Sequence, residues 1–464
     1  MAEAVKSRHY EVIVVGAGSA GVAVALAAAR NGAKTLLLES GPMVGGELIS
    51  GLPIDGALNA RGEWIVGGVM RELLDAADGL GGYVGPVFDW RLNWGVCFDP
   101  EILKVVIIEE LAKRGVTTLL YTLAQDVVMR DGKVEGILAA NKNGRLLLSA
   151  DVFIDCSGDG DLSIAAGAEY HHGGSGGEMQ PVSLVFRLGD VDYDEYLSFM
   201  RDNPQQFMLN ENPIIEKSRA ESAAAVADGG LPFSVLDARG ELLNAAMEQG
   251  RMFQTTAVYM WPTSLQRREV GLNTTRLAKI DATDMDALSA SLATLTTQVR
   301  QCTEFLRNDV PGFGGSHISG VAPRVGIRET RRIVGDYELS TDDVLEGRKS
   351  EHGIAKGAHH VDLHGSGRDQ ERIPVKDGRS YDIPYECLLP KGLSNVLVAG
   401  RCFSSTREAN GSARVMGPCM AMGQAAGTAA ALMSANAWSD SRQVPVERLR
   451  ETIRSQGGVV DGTN

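Results

Sequence analysis

The chain has 464 residues, 44% hydrophobic and 22% charged, an ordinary globular composition on a chain too long for one core of usual size. Its 59 acidic residues outnumber 45 lysines and arginines; the net charge of −14 disfavours a polyanion, so no nucleic-acid partner is expected. Six cysteines, at 97, 156, 302, 387, 402 and 419, form no C-x-x-C pair, which argues against a metal site, an iron–sulfur cluster or a redox disulfide; no metal is expected.

The opening residues, Met1 to Tyr10, are polar and run straight into an apolar strand, with no leader pattern. The apolar run from Val22 stops at Arg30, short of the ~20 residues a membrane span needs. A cytoplasmic protein without a membrane span is therefore expected.

Residues 10–15 read as a buried strand, followed at once by Gly16-Ala17-Gly18-Ser19-Ala20-Gly21. An alanine-rich helix over 22–31, capped by Gly32, leads to a second strand over 34–38 that ends in Glu39. This is a complete β-α-β unit for a dinucleotide. Gly16 permits the turn, Gly18 lets backbone approach a pyrophosphate, and Gly21 lets helix and strand pack closely. The helix start, with Ser19 and Ala20, offers free N–H groups to phosphate. Glu39 can accept hydrogen bonds from ribose hydroxyls, and an acid at that place disfavours a 2′-phosphate.

Ser40 opens a loop that ends in Gly45-Gly46-Glu47. In this position the chain resembles the glutathione-reductase-like FAD superfamily, whose paired glycines lie beside the pyrophosphate and the flavin. FAD is the cofactor that this resemblance implies, with Ser40, Gly45 and Gly46 among its contacts.

Further along, Asp99 and Pro100 predict the start of a helix over 99–115. Three strands follow, over 117–121, 124–130 and 134–141, with Asp131-Gly132 as a hairpin turn. In an FAD fold these form a small antiparallel sheet crossing over the parallel core. A strand over 150–155 then delivers the chain to Gly158-Asp159-Gly160, where the FAD superfamily meets the cofactor's diphosphate half. The run Gly173 to Gly177 reads as a hinge. Beyond it polar helices dominate, over 216–227, 241–250 and 281–307, with strands near 182–188 and 269–273.

The carboxy-terminal third carries the most specific resemblance. Arg328-Glu329-Thr330-Arg331-Arg332, the strand 395–399 ending in Gly400-Arg401, and Gly411-Ser412-Ala413-Arg414-Val415-Met416-Gly417-Pro418 resemble the FAD-dependent oxidoreductase family, which groups with fumarate-reductase-like flavoproteins. The likeness covers roughly 8–187 and 320–435. It implies an α/β fold: a Rossmann-type FAD-binding domain with a parallel sheet and a small antiparallel crossover sheet, plus an inserted α+β substrate domain. The expected division is 1–177 and 326–464 for the FAD-binding domain and 178–325 for the substrate unit. A helix from Met416, with Gly417 and Pro418 in its first turn, can aim its N-terminal dipole at the flavin. Gly423 and Gly427 allow either close packing or close approach of the cofactor.

The implied activity is hydride transfer between a small organic substrate and FAD, as dehydrogenase, oxidase or double-bond reductase. Oxygen, a quinone or a redox partner would accept the electrons, and assembly into a homo-oligomer is left open. The alternative is an electron-transfer flavoprotein subunit of a larger redox complex, although such relatives carry cluster cysteines that this chain lacks. Where family members often show histidines, this chain has Arg407 and Asn410. Arg407 and Arg414 are expected to hold a substrate carboxylate or enolate, or one of them only to neutralise Glu408 or the FAD phosphates. His352, His359, His360 and His364 are the main histidine concentration, and Asp362-x-His364 resembles a family pattern near the active site. His364 is the expected base.

Overall fold

The computed structural model describes residues 6–365 and 370–463; residues 1–5, the start of the polar opening, lie outside these. Strand β1 (Lys6–Val15), helix α1 (Ser19–Arg30) and strand β2 (Thr35–Leu38) form the expected unit, with Val12 to Val15 beside Thr35 to Leu38 in parallel register. Val12, Ile13 and Val14 are wholly buried, as a parallel strand covered on both faces requires. Helix α1 begins three residues before the alanine run suggests. The second half of the glycine motif is thus its first turn, capped by Gly18.

The helix Pro100–Lys113 starts as expected, with the Asp99 side chain accepting from the Glu101 N–H. It leads to β3 (Thr117–Leu119), which lies parallel to β2. This corrects the reading of 117–121 as part of an antiparallel crossover. A helix that crosses from one strand to the next returns the chain in the same direction, which only a parallel pairing can use. The antiparallel hairpin is β4 (Leu123–Arg130) and β5 (Lys133–Asn141), turned by Asp131 and Gly132 at φ 48° and 75°. Strand β6 (Gly144–Asp155) joins the two parts. Its first half pairs antiparallel with β5, its length runs parallel to β1, and its end pairs with the strand Val396–Val398. The order across this sheet is β3-β2-β1-β6-β5-β4, with Val396–Val398 also on β6.

A second sheet, wholly antiparallel, is ordered Ser234–Asp237, Ala257–Ser264, Glu269–Asn273, Phe186–Gly189, His317–Val321. Helices Tyr193–Asp202, Arg219–Asp228, Glu241–Glu248 and Met285–Asp309 contribute to its hydrophobic core, which holds Phe186, Tyr196, Phe207, Leu272, Phe305 and Phe313. Three of those helices follow the expected segments. Two of the five strands were legible; the rest lack a clean alternation. The strand expected over 182–188 is shorter, with Val182 and Ser183 instead bridging to Leu277 and Gly326. The Gly173–Gly177 run is a turn closed by hydrogen bonds from Gly174 N to Glu178 O and from Gly177 N to Gly174 O. A third small sheet, Ile54–Asp55, Trp94–Phe98 and Tyr83–Phe88, went unread in the sequence.

Helix α2 (Met416–Ala435) lies against α1 with almost no side chain between them. A Cβ on Gly423 would stand 2.4 Å from Ala20 O, and one on Gly427 2.3 Å from Val24 O. Close packing, not cofactor approach, therefore decides these two glycines. The pairing 20 with 423 and 24 with 427 advances in one direction, so the helices run parallel. Their positive ends point the same way.

Candidate functional site

The turn after β1 is built on backbone contact. Gly16 sits at φ 94°, and a Cβ there would come within 2.4 Å of Cys156 O. A Cβ on Gly21 would lie 1.8 Å from Gly16 O. Both glycines are demanded by the fold itself. Gly18 differs: its φ is −74°, and a Cβ there meets nothing within 4 Å. No side chain caps the α1 N-terminus. Glu39 accepts from Ala17 N at 2.9 Å and from Gly41 N at 2.7 Å, so it ties the turn to the end of β2. Each carboxylate oxygen keeps a lone pair for a further donor.

These residues line one cleft of about 470 Å3. Eleven of the fifteen positions expected to hold cofactor lie on it: Gly16, Gly18, Ser19, Ala20, Glu39, Ser40, Gly46, Gly158, Asp159, Gly400 and Arg401. Four do not. Gly21 packs on Gly16, and a Cβ on Gly45 would strike Ile49, while its N–H donates to Ala17 O. Gly417 lies against the backbone of Gly56, and the Pro418 ring against the space where Gly56 lacks a side chain. The α2 N-terminus nevertheless reaches the cleft, through Val415, Met416 and Cys419. It too has no side-chain cap. The Gly158-Asp159 turn is pinned by Arg401, which donates to Asp159 at 2.9 Å, and by the Thr330 hydroxyl at 2.6 Å. Buried Asp155 beneath it accepts from Ser157 and Ser163.

Two uncapped helix N-termini, an open position at Gly18 and an acid at the end of β2 on one cleft fit an adenine dinucleotide. Gly16, Gly18, Ser19 and Ala20 would hold its pyrophosphate, Glu39 its ribose, and Val415, Met416 and Cys419 its flavin end.

Another part of the cleft is lined by Asp55, Arg328, His359, Asp362, His364 and Arg414. The hairpin of Val361–His364 with Gln370–Ile373 presents Asp362 and His364. Asp362 Oδ2 is 2.8 Å from His364 Nε2, and its Oδ1 accepts from Gln370 Nε2 at 2.7 Å. Burial pushes the imidazole down to about 4, against the pull of Asp362. Burial alone would raise Asp362, but His364, with His360 and His359, holds it well below the usual carboxylate range. The site therefore holds a neutral imidazole against a carboxylate at neutral pH. Neighbouring His359 and His360 stack with ring centroids 3.9 Å apart, both pushed down in pKa by burial. His352 lies apart from this group and pairs with Glu386.

Arg414 lines the cleft; Arg407 does not. Arg407 grips Glu329 through Nε at 2.8 Å and Nη2 at 3.0 Å, and Arg332 shares that carboxylate. The expected catalytic place of Arg407 is corrected accordingly: the nearly dry acid Glu329, in the segment just before the strand Arg331–Ile333, draws its guanidinium away from the cleft. Arg407→Ala is expected to leave flavin content and reduction rate within ~3-fold while costing about 2 kcal/mol of stability, because Glu329 loses a partner it was buried with. Denaturant unfolding beside a flavin-reduction assay checks both.

Sequence reading missed Asp55. It stands on the short strand Ile54–Asp55, takes a hydrogen bond from Asn93 at 3.2 Å, and lines the cleft. Burial, then Asp89 and Asp362, push its carboxyl up to about 7, while Arg91 opposes them. The available signal was a lone acid inside the apolar, glycine-flanked run Gly51-Leu52-Pro53-Ile54-Asp55-Gly56.

The model of the FAD dependent oxidoreductase family matches residues 11–453. The chain belongs to that family. It is an FAD-dependent oxidoreductase, an enzyme whose cofactor is FAD. Over 149 residues it is 30% identical to the tRNA uridine 5-carboxymethylaminomethyl modification enzyme MnmG of Streptococcus pyogenes serotype M4, a stretch covering 29% of this chain and 22% of that protein. The match thus spans about a fifth of the length of that curated relative. Among solved structures, a geranylgeranyl bacteriochlorophyll reductase-like protein from Thermoplasma acidophilum aligns over 97% of this chain and 84% of its own, with 12% identity and a TM-score of 0.46. The flavin-dependent brominase Bmp2 aligns over 96% and 83%, with 12% identity and a TM-score of 0.49. Among the described residues, no helix is long and apolar enough to cross a membrane.

Proposed function

We propose that this FAD-dependent oxidoreductase transfers a hydride between a small organic substrate and its cofactor, with the substrate beside His364. The observation that carries this reading is the partly buried Asp362–His364 pair, which opens on the same cleft as the dinucleotide turn. Bound FAD supplies the hydride acceptor, or the donor in the reverse direction. Asp362 accepts from the Nε2–H of His364 and so fixes the tautomer, leaving the Nδ1 lone pair as the base. That nitrogen takes the proton from a substrate hydroxyl or amine as the C–H bond is oxidised. Asp55, titrating near 7 on the same cleft, can carry the proton onward. The partial positive charge at the α2 N-terminus favours negative charge that builds at the flavin end. Ser183, Val185, Asn273 and Met285 bring the unit 178–325 to the cleft, which supports its reading as the substrate domain. Oxygen, a quinone or a redox partner then takes the electrons.

The RNA substrate named for the streptococcal relative is not carried over. The likeness covers 22% of that protein, and a net charge of −14 gives no general attraction to a polyanion.

Anaerobic bleaching of the yellow protein by a panel of carboxylates, polyols, glycosides and amines tests the reading. The true substrate bleaches it, and His364→Ala keeps the colour but slows bleaching at least ~100-fold, the scale for a lost acid–base group. An unchanged rate in that variant would remove His364 from the chemistry. Failure of every small molecule would favour the electron-transfer subunit instead.

A further inference from the structure

Two cleft arginines lack acidic partners. Arg328 donates to Pro181 O at 2.8 Å, Ser183 Oγ at 3.0 Å and Asn273 Oδ1 at 3.3 Å, all neutral acceptors. Arg414 reaches Gln180 Oε1 at 3.5 Å, and its buried Nε has no partner. Among the described residues, neither has a carboxylate within 4.0 Å.

The acids nearby are already engaged. Asp362 gives one oxygen to His364 and the other to Gln370. Glu329 is divided between Arg332 and Arg407. Burial lowers both cleft arginines in pKa, Arg414 to about 10; Asp362 opposes this in both, while Arg276 adds to it at Arg328 and Arg328 at Arg414. A guanidinium kept charged in such surroundings costs free energy unless an anion joins it. Gln180 Oε1 also accepts from the His364 backbone N–H at 3.3 Å, so one side chain ties Arg414 to the residue carrying the proposed base.

We infer that the cleft takes a small organic carboxylate, its anionic group held between Arg328 and Arg414. This rests on the hydride-transfer reading for what happens to the substrate afterwards, but not for how it binds. The planar fork of a guanidinium matches two carboxylate oxygens, and the unmet Nε of Arg414 provides one donor. Ser183 and Asn273 hold Arg328 at the wall, so little side-chain freedom is lost on binding. A neutral substrate would leave these two partly buried cations with only the field of Asp362, which His364 and Gln370 already engage.

Calorimetry on the FAD-loaded protein, with acetate, propanoate and benzoate each set against its own amide, tests this. Carboxylates are expected to bind at least ~10-fold tighter than the amides, with added salt weakening only the carboxylates. Arg328→Met and Arg414→Met should each weaken carboxylate binding at least ~10-fold and amide binding less than ~3-fold, while Arg414→Lys, which keeps the charge and loses the fork, falls between. Should the Met variants not fold, the salt dependence and the carboxylate–amide ratio of the unaltered protein decide alone. Equal binding of acid and amide, or no carboxylate binding, would overturn the inference. Carboxylate binding without bleaching by any small molecule would sustain it and defeat the hydride-transfer reading instead.

Discussion

Gly18→Val is expected to yield a folded, colourless protein. A Cβ at this position meets nothing within 4 Å, and its φ of −74° suits any residue, so the chain itself has no need of glycine there. The need belongs to the ligand. Valine would fill the space in front of the uncapped α1 N-terminus, where the pyrophosphate must touch the backbone. FAD affinity should fall beyond ~100-fold, since steric exclusion there removes several phosphate hydrogen bonds at once. Gly21→Val makes the contrast. Its Cβ would stand 1.8 Å from Gly16 O, so that variant should fail to fold whether or not FAD is supplied. Circular dichroism and flavin released on denaturation separate the outcomes; a yellow Gly18→Val protein would show that the phosphates lie elsewhere.

Acid should unfold the protein through its buried imidazoles. His359 and His364 are both lowered by burial from 6.5 to about 4, and burial holds His360 well below its usual range as well. Between those values the unfolded chain binds protons that the folded protein refuses, so the stability carried by His359 and His364 falls as pH drops from 6.5 towards 4 and then levels off. For His359, which is 6% exposed, the difference amounts to about 3 kcal/mol. Asp55 acts with the opposite sign. Its folded value near 7, against 3.8, means the folded protein holds a proton the unfolded chain releases, so its contribution shrinks as pH rises through that window. Unfolding free energies of the parent, His359→Gln and Asp55→Asn across pH 4 to 7 isolate each group, whatever the fixed cost of the substitution. His359→Gln should gain about 3 kcal/mol relative to the parent on acidification, and Asp55→Asn should gain on the way back to neutrality. Parallel curves would mean that both groups titrate as they do in water.

The β-α-β unit was legible because its determinants are local. Gly16, Gly18, Gly21 and Glu39 lie within one short stretch, inside which Gly21 meets Gly16 and Glu39 accepts from Ala17 and Gly41. Asp99-Pro100 and Asp131-Gly132 were legible for the same reason: a cap and a two-residue turn depend on nothing distant. The direction of β3 was not, because pairing beside β2 depends on the helix Pro100–Lys113 having crossed the sheet first. Gly417 and Pro418 read as cofactor contacts until the fold set Gly56 against them.

The sharpest division falls on charge. Arg407 and Arg414 stand at the two ends of one short helical segment, and as residues they are indistinguishable. Glu329, 78 positions before Arg407, packs against one and leaves the other in the cleft. Asp55 likewise gained its titration near 7 from Asp89, Asp362 and the loss of water around it. Sequence by itself thus determined a dinucleotide site, whose recognition is written in backbone shape over neighbouring residues, and the family resemblance made that dinucleotide FAD. Tertiary structure alone decided which charges face the cleft and in what protonation state, because those depend on burial and on partners that the chain brings together only by folding.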